Sequence, residues 1–89
     1  MGVQIAVVYV DNWQALYINE RLVLQAHEIT IPVLMEFVLY RSVDLFEYIE
    51  ASESNMNTEW GYPDRLGDVV LPGGITFQQR REKEIESRG

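Results

Sequence analysis

Cysteine is absent from the 89 residues, and histidine and lysine each occur once. Without thiols there is no disulfide, no zinc-thiolate centre and no cysteine nucleophile. His27 alone cannot build a multi-histidine metal site within one chain. Positive charge is scarce: seven Lys and Arg stand against 14 Asp and Glu, for a net charge of −7. A binder of the phosphate backbone needs clustered cations, so direct nucleic-acid binding is not expected. Long apolar runs are missing too. Met1–Ala6 carries no positive leader, and Ile5–Val10 is too short for a signal or membrane segment. The expectation is a cytoplasmic protein that does not engage a membrane.

What remains is a chain that is 47% hydrophobic, enough for a folded core. Its length suits one domain, with no internal repeat and no interdomain linker. Charge is unevenly placed. Residues 36–68 hold eight acids and two arginines, whereas residues 69–89 hold four cations and three acids. The middle is acidic and the end mildly basic.

Val3–Val10 is rich in β-branched residues and apolar on both faces, which predicts a central strand. Asp11-Asn12 breaks it. Gln14–Ile18 and Arg21–Gln25 flank Asn19-Glu20 and predict a β-hairpin. A turn there sets Tyr17 opposite Leu22, Ala15 opposite Leu24 and Leu16 opposite Val23, with the register left open. Thr30 and Pro32 suit a helix start. Val33–Ala51 then predicts one long helix without internal Gly or Pro. Its apolar stripe is Ile31, Leu34, Met35, Val38, Leu39, Leu45, Phe46 and Ile49, which places Phe46 and Leu39 in the core. The opposite arc carries Glu36, Arg41, Asp44, Glu47 and Glu50, together with Phe37, Tyr40 and Tyr48. Ser52–Thr58 reads as a loop, and Glu59–Gly67 as an irregular packed segment. Val69–Leu71 and Ile75–Phe77 around Pro72-Gly73-Gly74 predict short strands or a strand and a turn. Residues 1–77 form the compact domain. Residues 78–89 read as a charged tail, either a frayed helix or disordered.

Several groupings invite a chemical reading. His27 beside Glu28 resembles a general base with its carboxylate, yet neighbours on an extended segment point apart. Asp44, Glu47 and Glu50 step by threes along the expected helix, but helical metal sites recruit histidine and face inward, so a solvated acidic face is the better account. Gly73-Gly74 lacks the Lys and Ser/Thr of a phosphate loop and reads as a turn. Trp13 is expected to pack across the hairpin. Trp60 and Tyr62 either pin the core or contact a partner or ligand.

The fold class expected is α+β: a small antiparallel sheet from the N-terminal strand and hairpin, with possible short C-terminal strands and one long helix on one face. No enzyme, cofactor or metal is expected. The leading reading is a small acidic interaction module that self-associates as a homodimer or higher oligomer. Its interface would be Phe37, Tyr40, Arg41 and Tyr48. Alternatives are an acidic inhibitor or nucleic-acid mimic that binds a basic protein surface, and a small-ligand binder lined by Trp60 and Tyr62.

Overall fold

The computed structural model describes residues 2–11, 13–38, 42–57 and 61–88. Three strands come first: β1 (Val3–Val10), β2 (Trp13–Ile18) and β3 (Arg21–Ala26). Helix α1 (Ile31–Val38) and strand β4 (Val43–Glu50) follow. Short 3-10 turns at Glu53–Asn57 and Leu66–Asp68 lead to helix α2 (Phe77–Arg88). The sheet runs β3-β2-β1-β4, with β1–β2 and β2–β3 antiparallel and β1–β4 parallel. The architecture is therefore α+β with a mixed sheet.

The Asn19-Glu20 turn forms as expected. Both residues have positive φ, 51° and 71°, as a tight hairpin turn requires. Asn19 also accepts from the Gln4 backbone N–H through Oδ1 at 3.0 Å, which ties the turn to β1. Tyr17 faces Leu22, but an irregularity between Leu16 and Tyr17 passes over Val23. Leu16 then faces Leu24, and Ala15 faces Gln25.

The single long helix is corrected. Helix α1 stops at Val38, and Val43–Glu50 is a strand. The segment Val-Asp-Leu-Phe-Glu-Tyr-Ile-Glu satisfies both periods: Leu45, Phe46 and Ile49 fit a helical stripe, while Leu45 and Ile49 also share one face of a strand. Tertiary need decides between them. β1 is apolar on both faces and behaves as a central strand, and β2 can occupy only one of its edges. β4 takes the other edge, pairing Ile49 with Val8 and Phe46 with Ile5. A parallel neighbour needs a long crossover, which the hairpin and α1 supply. The purely antiparallel sheet is corrected by the same pairing.

The expected core positions shift accordingly. Phe46 is half exposed on β4, and Met35 and Ile31 are exposed on α1. Leu39 lies outside the described residues. The core has two layers, one on each sheet face. On one face Ile5, Val7, Leu16 and Ile29 pack against Val33, Leu34, Phe37 and Val38 of and around α1. On the other, Ala6, Val8, Ala15, Tyr17 and Ile49 meet Tyr62, Leu66, Val69, Leu71 and Phe77.

Residues after β4 cover the second face without extending the sheet. The possible C-terminal strands reduce to one bridge, Val70 to Thr76, closed around Gly73 and Gly74 at φ 98° and 88°. Only glycine takes such angles at little cost. α2 opens on a reciprocal cap that the sequence reading passed over. The Gln79 N–H donates to Thr76 Oγ1, and the Thr76 N–H donates to Gln79 Oε1. Phe77 is buried beneath Arg80 and Arg81, whose guanidinium carbons lie 5.1 and 4.4 Å from its ring centre. Arg81 pairs with Glu20 at 2.5 Å, across to the hairpin turn.

Candidate interaction surface

β4 ends the sheet, and most of its side chains are exposed. Val43 is 38% exposed, Leu45 44%, Phe46 49% and Tyr48 58%. Four of the five large apolar or aromatic side chains of this eight-residue edge strand are thus exposed, and Ile49 is buried. They reach both sides of the sheet: Leu45 shares a face with Ile49, and Phe46 with Tyr48. Helix α1 packs over Ile5, Val7 and Leu16, inward of β4, and leaves Phe46 and Tyr48 accessible.

Tyr48 is ordered despite its exposure. Its ring stacks on Tyr9 with centroids 4.8 Å apart and planes 29° apart. Its hydroxyl accepts from Gln14 Nε2 at 3.2 Å. Gln14 Oε1 in turn accepts from the Ile29 N–H at 2.7 Å. This chain across β4, β1 and β2 fixes an aromatic platform beside the free edge. On the opposite face a cleft of about 240 Å³ opens under β4, with Ala6, Tyr17, Leu45, Glu47, Leu66 and Arg81 in its lining.

The expected interface residues are not brought together as one helix arc. Phe37 lies on α1, half-buried against the core, while Tyr48 lies on β4. Tyr40 and Arg41 fall outside the described residues. Of the described members of the expected patch, Tyr48 sits on the surface formed by β4 and Phe37 does not. Val43, Leu45 and Phe46 belong to that surface and were missed as such, because a helical period assigned Leu45 and Phe46 inward. Leu45–Glu50 also fits the period of two of a strand, the one signal in the residues that points to this surface, but that alternation does not by itself choose the strand over the helix.

Trp60 also lies outside the described residues. Tyr62 is only 2% exposed, and its hydroxyl donates to the Trp13 carbonyl at 2.9 Å. Burial pushes that hydroxyl well above its ordinary pKa, so it remains a donor. One side of Tyr62 borders a cleft of about 560 Å³, shared with Asn55, Asp64, Asp68 and Val70. Trp13 packs across the hairpin as expected: its Nε1 donates to Gln25 Oε1 at 3.0 Å. The His27 ring meets the Trp13 ring edge-on at 4.8 Å.

The strand also dissolves the helical spacing of the acids. Glu47 and Glu50 fall on opposite faces of β4, so the three carboxylates share no helical face. Among the described residues no group of three or more His, Asp or Glu side chains is placed to hold a metal. One carboxylate pair does meet, at the far end of the strand. Glu53 hydrogen-bonds Asp11, which raises the Glu53 pKa above the usual carboxylate range. Among the described residues no helix is long and apolar enough to cross a membrane. No family model, curated protein or solved structure matches the chain.

Proposed function

We propose that the protein is a non-enzymatic interaction module that self-associates through β4. The observation that carries this reading is the edge itself. An eight-residue strand ends the sheet with Val43, Leu45, Phe46 and Tyr48 all more than a third exposed. Soluble proteins normally blunt such edges by shortening, bulging or covering them; β4 is irregular only near its start, between Val43 and Leu45. A second polypeptide would pair the outward backbone groups of β4, which find no partner among the described residues, and would remove the apolar side chains from water together. The small core also favours association, since no disulfide supplements it. A cysteine-free chain suits a reducing compartment, and a cytoplasmic setting is part of this proposal.

Light scattering coupled to size exclusion at micromolar concentration tests it. The wild type is expected above the mass of one 89-residue chain. Phe46→Glu is expected to return it to monomer with an unchanged far-ultraviolet spectrum, because Phe46 is only half-buried. A wild type that stays monomeric rejects the reading.

A second reading draws on charge. Asp44 and Glu50 are exposed on β4, in a chain of net charge −7. An acidic module could present them to a basic protein surface. Capture of a basic partner that weakens with added salt would favour this alternative.

A further inference from the structure

We infer that Arg21 and Arg65 form a two-pronged site for a phosphate group, on the sheet edge opposite β4 and independent of self-association. The inference starts from the backbone. The Leu22 N–H donates to the Asp64 carbonyl at 2.8 Å, and the Leu66 N–H donates to the Glu20 carbonyl at 2.9 Å. These two bonds flank the antiparallel bridge of Arg21 with Arg65 and leave that pair without a bond of its own. It is the close kind of antiparallel pair, with Cα atoms about 4.5 Å apart. Directly opposed side chains leave the same face, their Cβ atoms roughly 4.5–5.5 Å apart. Two guanidinium groups therefore spring side by side from adjacent backbones.

Like charges directly opposed are destabilising. A chain with 14 acids and seven cations has carboxylates enough to relieve the contact, yet they do not do so here. Among the described residues the ion pairs are Arg80 with Glu84 and Arg81 with Glu20. Arg21 and Arg65 enter no ion pair and no side-chain hydrogen bond there, although Asp64 and Asp68 stand near Arg65 in sequence. Both arginines line a cleft of about 270 Å³ together with Glu20, Gly67, Asp68 and Gln78. Arg81 already holds Glu20, and Gln78 Nε2 donates to Glu82 at 3.3 Å. The uncommitted charges of the cleft are thus two guanidinium groups against one carboxylate, Asp68.

An anion between the two forks turns their repulsion into attraction. A carboxylate brings one charge and two oxygens, which one guanidinium saturates in bidentate fashion. A phosphate monoester brings up to two charges and three free oxygens, enough to bridge both forks. The cleft is smaller than pockets for drug-sized ligands, so the phosphate carries at most a small organic group into it. A chain of net charge −7 repels a long polyanion along its whole length, so a single phosphate fits better than a nucleic-acid strand. The group belongs either to a small phosphorylated molecule or to a phosphorylated side chain.

Two-dimensional NMR of the isotope-labelled protein tests the site, with amide and arginine Nε–H resonances followed at constant ionic strength. Methyl phosphate is expected to give saturable shifts centred on Arg21, Arg65 and Gly67, and acetate to bind about tenfold more weakly. Arg21→Gln and Arg65→Gln are each expected to weaken methyl phosphate by about tenfold or more. Neither should unfold the chain, because the Leu22 and Leu66 backbone bonds do not use these side chains. Each is also expected to melt no lower than wild type in phosphate-free buffer, since it removes a like-charge contact. Asp68→Asn is expected to tighten binding severalfold. Lys83→Gln, on α2 outside the cleft, is expected to leave it unchanged. A capped peptide with one phosphoserine separates the sources. Tighter binding than methyl phosphate assigns the site to a phosphorylated chain, and equal or weaker binding assigns it to a small molecule. Shifts that chloride reproduces at equal ionic strength, or that persist in the Arg21→Gln, Arg65→Gln double variant, overturn the site. Acetate binding as tightly as methyl phosphate overturns phosphate as its ligand.

Discussion

The two edges of the sheet are finished in different ways. Both edge strands carry an irregularity, but β3 has only six residues and is roofed by the chain's own later segment. The Leu22 N–H donates to the Asp64 carbonyl at 2.8 Å, the Leu66 N–H donates to the Glu20 carbonyl at 2.9 Å, and Arg21 bridges to Arg65. β4 is longer, and among the described residues no backbone group bonds its outward side. One edge is closed by residues 64–66, about forty positions downstream of it in sequence; the other is left open beside an aromatic platform. Exposure at the open edge is thus specific to one side of the fold. A general shortage of covering chain would have left both edges alike.

The largest expected effect comes from breaking the closed edge. Tyr17 is fully buried, and its hydroxyl donates to the Pro63 carbonyl, which anchors the roofing segment from below. Burial, followed by the nearby Tyr62, Asp64 and Asp68, holds that hydroxyl far above its ordinary pKa, so it donates at any working pH. Tyr17→Ala is expected to cost about 3–5 kcal/mol in urea denaturation. A domain of this size has roughly 5–10 kcal/mol in all, so the variant sits near unfolding. Phe46→Ala, at the open edge, is expected to cost the monomer under about 1 kcal/mol. Equal losses at the two positions would abolish the distinction between the edges.

A smaller effect is expected at Gln25. Its Oε1 accepts from Trp13 Nε1 at 3.0 Å and from the Tyr62 N–H at 3.3 Å, joining β3 to the start of the roof. Gly61 lies so close that an added Cβ would strike the same Oε1 at 2.5 Å. Gln25→Ala leaves two part-buried donors without this acceptor and is expected to cost about 1–3 kcal/mol. Faster amide exchange at Leu22 and Leu66, with no change at Ile49, would show that the loss is confined to the closed edge.

Much of the first half of the fold was legible in the residues. β1 and the Asn19-Glu20 hairpin follow from β-branched enrichment and a turn pair that tolerates positive φ, both local signals. The irregularity at Leu16/Tyr17 was not legible, because nothing in Leu22-Val23-Leu24 marks which residue is passed over. β4 was misread for a different reason. Val43–Glu50 fits periods of 3.6 and 2 about equally well, and the need for a second neighbour of β1 is a tertiary fact. The same misreading moved the candidate surface. Once Phe46 is taken as helical it points inward, and the exposed aromatics left over collect on an arc that does not exist. The roof over β3 was legible only as aromatics that had to pack somewhere; its partners depend on contacts nearly fifty residues apart, such as Tyr62 with Trp13.

The smallest effect lies where the open edge ends. β4 runs into Glu53 just as β1 runs into Asp11, and the two carboxyls share a hydrogen bond. That bond needs a proton, which is why the Glu53 pKa is raised, first by the hydrogen bond and then by the Asp11 charge. A raised pKa in the folded state fixes the sign. The pair contributes its stability below the ordinary glutamate value and loses it as pH rises through the folded pKa. Above that point both groups are ionised and repel. Glu53→Gln is therefore expected to melt slightly higher than wild type at neutral pH, by roughly a degree or two, with the gap closing as the pH falls through the raised Glu53 pKa. The pair is solvated, so added salt should shrink the neutral-pH difference as well. Equal melting temperatures at neutral pH and low salt would mean that the two carboxyls do not interact in solution. The end of β4 would then be no more strained by charge than the end of β3.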